Sequence, residues 1–286
     1  MSHDKIFKRI EKLFDVGLLG DAQVIIIGCG SGGGGLALQL VMSGIRNFTL
    51  IDKDTLEPEN VIRHVCGRRF IGNKKVDALE EVLLDRNPTI NIRKLDTDIM
   101  HYNNLESEIV KHAVVALATD NEPSRYLVNE ICVRNKVPFV VARVFTRGIG
   151  GEVFNYKPEV GGCLACLENF LERTQSKYRQ GVREIDLVSE EERERMYGME
   201  IAEIKDSPGL NVDISFITAF HTRFLLDAIA ETLAERPKYM QAIPDNYIIW
   251  GNRPTHPFTK HFQIQRFTLP QMEGCQVCSI KEKQKV

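Results

Sequence analysis

Between residues 24 and 54 a short apolar run, a cluster of glycines, a helical repeat and a second apolar run ending in an acid follow one another. The first run, residues 24–27, is apolar at every position, as a parallel strand buried on both faces requires. Gly28, Gly30 and Gly33, with Ser31 and Gly32 between them, fit G-x-G-x-x-G. That pattern allows a tight turn and brings the backbone close to a phosphate at a helix N-terminus. Asp52 closes the second apolar run 19 residues after Gly33, near the spacing at which a carboxylate accepts hydrogen bonds from ribose hydroxyls. The competing reading is a glycine-rich strand-turn-helix with no ligand. Strand, glycines, helix and acid occurring together favour nucleotide binding, without saying which nucleotide.

The rest of the chain supports an α/β reading. A helix is expected over about 32–44, ended by Gly44, and another from Gly72, Asn73, Lys74 and Lys75 to about Arg86, closed by Asn87 and Pro88. Strands are expected at 90–95, 113–118 and 139–142, with a helix at 121–135. This alternation predicts a doubly wound, mostly parallel Rossmann-like sheet. After residue 148 the pattern changes to an antiparallel strand at 150–156, a helix after Pro208 and Gly209, and late strands near 247–250 and 261–268. The expected organisation is an N-terminal amphipathic helix within 1–20, a nucleotide-binding half over 21–148 and a continuous extension over 149–286. Residues 168–206, centred on the charge run at 190–195, read as a solvated helix or crossover, and the tail at 281–285 as frayed.

The 286 residues suit one large α/β domain, and a formal net charge of −2 offers no argument for nucleic acid or an anionic membrane. The first residues have no signal-peptide core and no run reaches transmembrane length, so a cytoplasmic protein is expected. Seven cysteines do not form a disulfide framework. Cys163 and Cys166 form one C-x-x-C pair and Cys275 and Cys278 another, which reads as a tetrahedral zinc site with four cysteine ligands, with a redox pair as the alternative.

Several polar residues fall in loops at the expected C-terminal strand ends: Asp52, Asp54, Asn60, Arg63, Lys75 and Asp120. Each has an ordinary explanation, with Asp120 as a helix cap, Asp54 and Asn60 as turn formers, and Arg63 and Lys75 as surface charges. Taken together the series is more specific. G-x-G-x-x-G, D-x-D, N-x-x-R, G-x-x-K, T-D-N and two C-x-x-C pairs, in this order over about residues 20–280, resemble the ThiF/MoeB/HesA family, bacterial relatives of the ubiquitin-activating enzymes.

The resemblance implies ATP rather than NAD, and adenylation of the C-terminal glycine carboxylate of a ubiquitin-like or sulfur-carrier protein ending in Gly-Gly, with release of pyrophosphate. It implies that Gly28, Gly30, Ser31, Gly32 and Gly33 lie against the nucleotide and that Asp52 holds the ribose. Asn60, Arg63 and Lys75 would contact the phosphates, Asp120 with Asp54 would hold Mg2+, and the neighbouring Asn121 would line the nucleotide site. A homodimer is also implied. The chemistry agrees, because a carboxylate attacking the α-phosphorus brings anions together, and fixed cations with Mg2+ lower that barrier. No side-chain base is required, and the seven histidines read as surface or packing residues.

Three departures bear on the expectation. His64 follows Arg63 where the family commonly has glutamine, and only Lys8 and Arg9 stand near the N-terminus for an arginine that would act in the partner's site. Residues 167–274 contain no cysteine, so no internal thioester is expected there, and Cys66, beside Arg68 and Arg69, is the one candidate exception. No rhodanese-like extension is expected, as the chain stops just past the second cysteine pair. A catalytically silent scaffold subunit and an NAD-dependent dehydrogenase are the alternatives.

Overall fold

The computed structural model describes residues 6–145, 148–158, 160–173 and 209–279. The charge run at 190–195 and the tail at 281–285 lie outside them. The first half contains α1 (Gly17–Gly20), β1 (Gln23–Ile27), α2 (Ser31–Met42), β2 (Asn47–Ile51), α3 (Lys75–Arg86), β3 (Asn91–Leu95), α4 (Leu105–Ile109), β4 (Val114–Leu117) and α5 (Glu122–Arg134). Then follow β5 (Phe139–Val144), β6 (Gly150–Tyr156), α6 (Leu164–Arg173), α7 (Asn211–Glu231), β7 (Tyr247–Gly251) and β8 (Gln263–Phe267).

The strands form one eight-stranded sheet in the order β3-β2-β1-β4-β5-β6-β7-β8. β1 to β5 pair in parallel, and β6 to β8 add antiparallel strands. The parallel strands read as unbroken apolar runs because both faces are covered. Val24 and Ile26 of β1 face one core with α2, α3 and α7, while Ile25 and Ile27 face another with α4, α5 and α6. Edge strand β3 carries Arg93 and Lys94, charges that oppose pairing with another chain.

Local chemistry sets the element ends. α2 closes in a Schellman motif, with Gly44 at φ +103 and the N–H groups of Ile45 and Gly44 on the carbonyls of Leu40 and Val41. Asn121 opens α5 by accepting from the Ser124 N–H at 3.0 Å. In α7, the Thr222 hydroxyl donates to Gln39 of α2 at 2.7 Å and buried His221 bonds the Val140 carbonyl at 2.9 Å, fastening the helix over α2 and β5.

The amphipathic helix expected within residues 1–20 is not continuous among the described residues. Residues 7–14 form successive turns with mixed spacing, in which the Ile10 N–H reaches Phe7 O and the Leu13 N–H reaches Ile10 O, both at 2.8 Å. The Asp15 carboxylate accepts from the Gly17 N–H at 2.8 Å and restarts the chain as the one-turn helix α1. Phe7, Val16 and Leu19 are buried while Ile6 and Leu13 stay exposed, so the helical spacing of apolar residues is only partly used. Among the described residues no helix is long and apolar enough to cross a membrane.

Candidate active site

The direction of chain crossing reverses between β1 and β4, which flank each other while their connections lead to opposite sides. In such sheets a ligand binds beyond the carboxyl ends of the strands at that point. The glycine turn leaves β1 there. Gly28 sits at φ +94, and a Cβ on it would stand 2.7 Å from Ala118 O, so only glycine lets the turn pass beneath the end of β4. Gly33 packs the start of α2 onto the same turn, where a Cβ would lie 1.8 Å from Gly28 O. Nothing stands within 4 Å of a Cβ at Gly30 or Gly32, which leaves open space over the N-terminal end of α2. Ser31 opens that helix.

Asp52 and Asp54 leave β2 beside this turn. Asp52 accepts from the Cys29 N–H at 2.6 Å through Oδ2 and from the Asp54 N–H at 2.8 Å through Oδ1. Each oxygen keeps a second acceptor position, so the carboxylate shapes the turn and still fits a ribose hydroxyl. Burial raises its carboxyl above the usual range, against the opposing pull of those two N–H groups and of Lys75. Lys75, at the start of α3, places Nζ 2.8 Å from Asp54 Oδ2. Burial works against its charge, but the bond to Asp54 and the fields of Asp52, Asp54 and Asp120 prevail and raise its pKa. Lys75, Asp52, Asp54 and Asp120 thus form one electrostatic cluster.

Asp120 is exposed at the end of β4. The cap of α5 falls to Asn121 instead, whose side-chain oxygen is engaged with Ser124. Asn60 ends a 3-10 turn at Pro58–Asn60, and its Oδ1 accepts from the Glu57 N–H at 3.0 Å, so its amide oxygen holds the loop in shape. Arg63 follows, half-buried, with its carbonyl accepting from Asn211 of α7 at 2.7 Å.

His64 joins that loop to the glycine turn. Its Nδ1 accepts from the Cys66 N–H at 3.0 Å, so Nε2 carries the proton donated to Cys29 O at 2.7 Å. Burial lowers its pKa and keeps the ring neutral. A glutamine amide could donate to the same carbonyl, so the departure at this position preserves a chemical role. Cys66 is the one candidate exception to the absence of a reactive thiol, and its surroundings oppose activation. It is fully buried, and that burial pushes its pKa up to about 12 despite Arg69. Cys29 and Cys132 are fully buried as well.

The two cysteine pairs meet at the N-terminal end of α6. The four Sγ atoms lie within 4.8 Å of one another, with Cys163 3.8 Å from Cys275 and Cys166 3.4 Å from Cys278. A tetrahedral site with Zn–S of about 2.3 Å has sulfur–sulfur edges of about 3.8 Å, so this cluster fits zinc. All four positions are protein thiols, which leaves no open coordination site, and the peptide N–H of Met272 points to Cys166 Sγ at 3.4 Å as an outer support.

Sequence reasoning missed a buried ionic chain beside the site. Arg125, Glu122, Arg143, Glu152 and Glu168 meet between α5, β5, β6 and α6. Its signal was present, since Arg143 and Glu152 are the charged residues in strands that are otherwise uncharged.

Comparison with known proteins agrees with this geometry. "Adenylyltransferase and sulfurtransferase MOCS3" of Xenopus laevis is 33% identical over 150 residues, covering 52% of this chain and 33% of that protein. The protein of the same name from Arabidopsis thaliana is 30% identical over 147 residues, covering 51% and 31%. The matched region therefore spans about a third of the length of these curated relatives. Among solved structures, E. coli MccB with AMPCPP and MccA superposes with a TM-score of 0.68 at 20% identity, over 97% of this chain and 75% of that one, a likeness of fold. The ThiF family profile matches residues 12–260, and the chain belongs to the ThiF family.

Proposed function

We propose that this protein is an ATP-dependent adenylyltransferase that activates the C-terminal carboxylate of a ubiquitin-like or sulfur-carrier protein ending in Gly-Gly and releases pyrophosphate. The observation that carries the reading is the meeting of the glycine turn, Asp52, the Lys75–Asp54 pair and Asp120 at the β1/β4 crevice. Relatives named adenylyltransferase support it, and so do solved structures of E. coli MccB with ATP and with AMPCPP.

In this reading the phosphates of ATP lie over Gly30, Ser31 and Gly32, where free N–H groups of a helix start favour an anion. Asp52 accepts from the ribose. The substrate carboxylate is already ionised and attacks the α-phosphorus directly. Lys75 supplies a point charge and Arg63 a planar fork toward the phosphoryl oxygens, and Asn60 steadies the loop that presents Arg63. Asp120, with Asp54 as a second carboxylate, fits a Mg2+ ion, which when bound neutralises charge on the departing pyrophosphate. The zinc site is structural and ties the segment after β6 to the C-terminal segment. No cysteine lies between residues 167 and 274, so the product is an acyl-adenylate with no thioester formed there. A homodimer in the cytoplasm completes the proposal.

The test is ATP–pyrophosphate exchange with a Gly-Gly-terminated carrier, alongside NAD titration. Carrier-dependent exchange without NAD binding supports the reading. NAD binding without exchange indicates a dehydrogenase, and neither activity indicates a scaffold subunit.

A further inference from the structure

The buried ions beside the crevice form a chain with direction. Arg125 of α5 donates from Nε and Nη2 to the carbonyl oxygen of Thr119, at 3.1 and 2.6 Å. Its Nη1 lies 2.7 Å from Glu122 Oε1, and Arg143 Nη1 meets that same oxygen at 3.1 Å. Arg143 also pairs with Glu152, which accepts from the Tyr247 hydroxyl at 2.5 Å, and with Glu168 at 3.4 Å. Glu168 stands on α6, two residues past Cys166. Arg125, Arg143, Glu152 and Glu168 are each at most 6% exposed.

Buried ion pairs are weak contributors to stability, because desolvation offsets much of their attraction and well-packed apolar residues often do as well. They do fix geometry, and here the fixed object is specific. The Thr119 carbonyl belongs to the peptide unit whose N–H is that of Asp120. Arg125 holds that unit from the strand side, while the Asn121 cap holds the next residue from the helix side. Asp120 itself stays exposed, with its backbone set on both flanks.

We propose that Arg125 is a positioning residue that sets the Asp120 backbone for its metal–nucleotide role, and that Arg143 and Glu168 couple this setting to the cysteine-stapled helix α6. This rests on the adenylation reading. It places no residue of the chain in contact with substrate. Arg125 acts through the Thr119 peptide, Arg143 through Glu122, and Glu168 through Arg143.

The experiment is calorimetric ATP binding across a Mg2+ titration, with melting temperature read in parallel, for wild type, Arg125→Lys and Glu168→Gln. Lysine keeps the charge but cannot donate twice to one carbonyl while holding Glu122. Loss of such outer supports weakens metal sites roughly 10–100-fold. Arg125→Lys is expected to need roughly tenfold more Mg2+ for half-maximal ATP affinity, with near-normal affinity once Mg2+ saturates. Glu168→Gln, which alters the chain at its Arg143 end, is expected to shift the same way by a smaller factor. An unchanged Mg2+ requirement in both variants overturns the inference. So does weakening that is equal at all Mg2+ levels and tracks the melting temperature, which marks a role in packing alone. If wild type shows no Mg2+-dependent ATP binding, the adenylation reading falls and this inference with it.

Discussion

Gly33→Ala puts the candidate nucleotide turn under a defined strain. The new methyl would lie 1.8 Å from Gly28 O, whereas real Cβ atoms essentially never come within 3.0 Å, so the turn must open by about 1.2 Å. The opposing atom is backbone on a tight turn, already wedged against Ala118, and cannot swing aside as a side chain would. Overpacking of this kind costs about 1–3 kcal/mol, or roughly 2–12 °C in melting temperature for a domain of this size. A displacement near 1 Å at a binding site costs on the order of 10²-fold in function. Gly32→Ala separates the two effects. Nothing stands within 4 Å of its methyl, and alanine is better in a helix by about 1 kcal/mol, so stability should hold or rise. Its methyl nevertheless enters the space assigned to phosphate, so ATP affinity should fall. The assays are differential scanning calorimetry and isothermal titration with ATP and Mg2+. Wild-type melting and ATP affinity in Gly33→Ala would refute the close approach, and wild-type ATP affinity in Gly32→Ala would refute the phosphate seat.

The same structure makes three further predictions. Metal analysis should find one zinc per chain, and chelation or Cys278→Ser should lower melting temperature by roughly 2–4 °C per kcal/mol lost, before affecting ATP binding in the fraction still folded; freshly purified protein without zinc removes the claim. His64, His112 and His221 are held neutral by burial, His221 with its pKa lowered from 6.5 to about 4. The unfolded chain therefore takes up protons that the folded one refuses, so the stability present above pH 6.5 should drain away as pH falls toward about 4; a flat melting temperature over that range, or the same slope in His221→Gln, counts against it. Lys75→Ala should reduce pyrophosphate exchange on the order of 10²-fold or more with the fold intact, while Asp120→Ala should be partly restored by excess Mg2+; unchanged exchange in either removes that residue from the chemistry.

What could be read from the sequence follows physical range. The parallel strands were legible because burial on both faces leaves apolar runs, and the turn after β1 because glycines there answer local steric demands at Gly28 and Gly33. Asp52, Asp54, Lys75 and Asp120 were legible because a doubly wound sheet sends its strand ends to one edge. The four clustered cysteines announced themselves as two pairs. Near the N-terminus the described residues 7–14 run as successive turns rather than one helix, because apolar spacing does not register local bonds such as that of Asp15 to the Gly17 N–H. Cys66 stood out as a candidate because its arginine neighbours show in sequence, whereas its burial is a tertiary property that outweighs the pull of Arg69. The chain from Arg125 to Glu168 was missed for the same reason, as its members come from four elements, although charges at Arg143 and Glu152 inside otherwise uncharged strands were a visible warning. α4 has only five residues, too few to show a helical repeat.

The most direct test of the account is mass spectrometry of a Gly-Gly-terminated carrier incubated with the protein, ATP and Mg2+, using carriers that end in a free carboxylate or in an amide. The account predicts an AMP adduct at the C-terminus of the free-acid carrier only, formed with release of pyrophosphate and lost with Arg63→Ala. An adduct on the amidated carrier, or one that persists unchanged in Arg63→Ala, would contradict it.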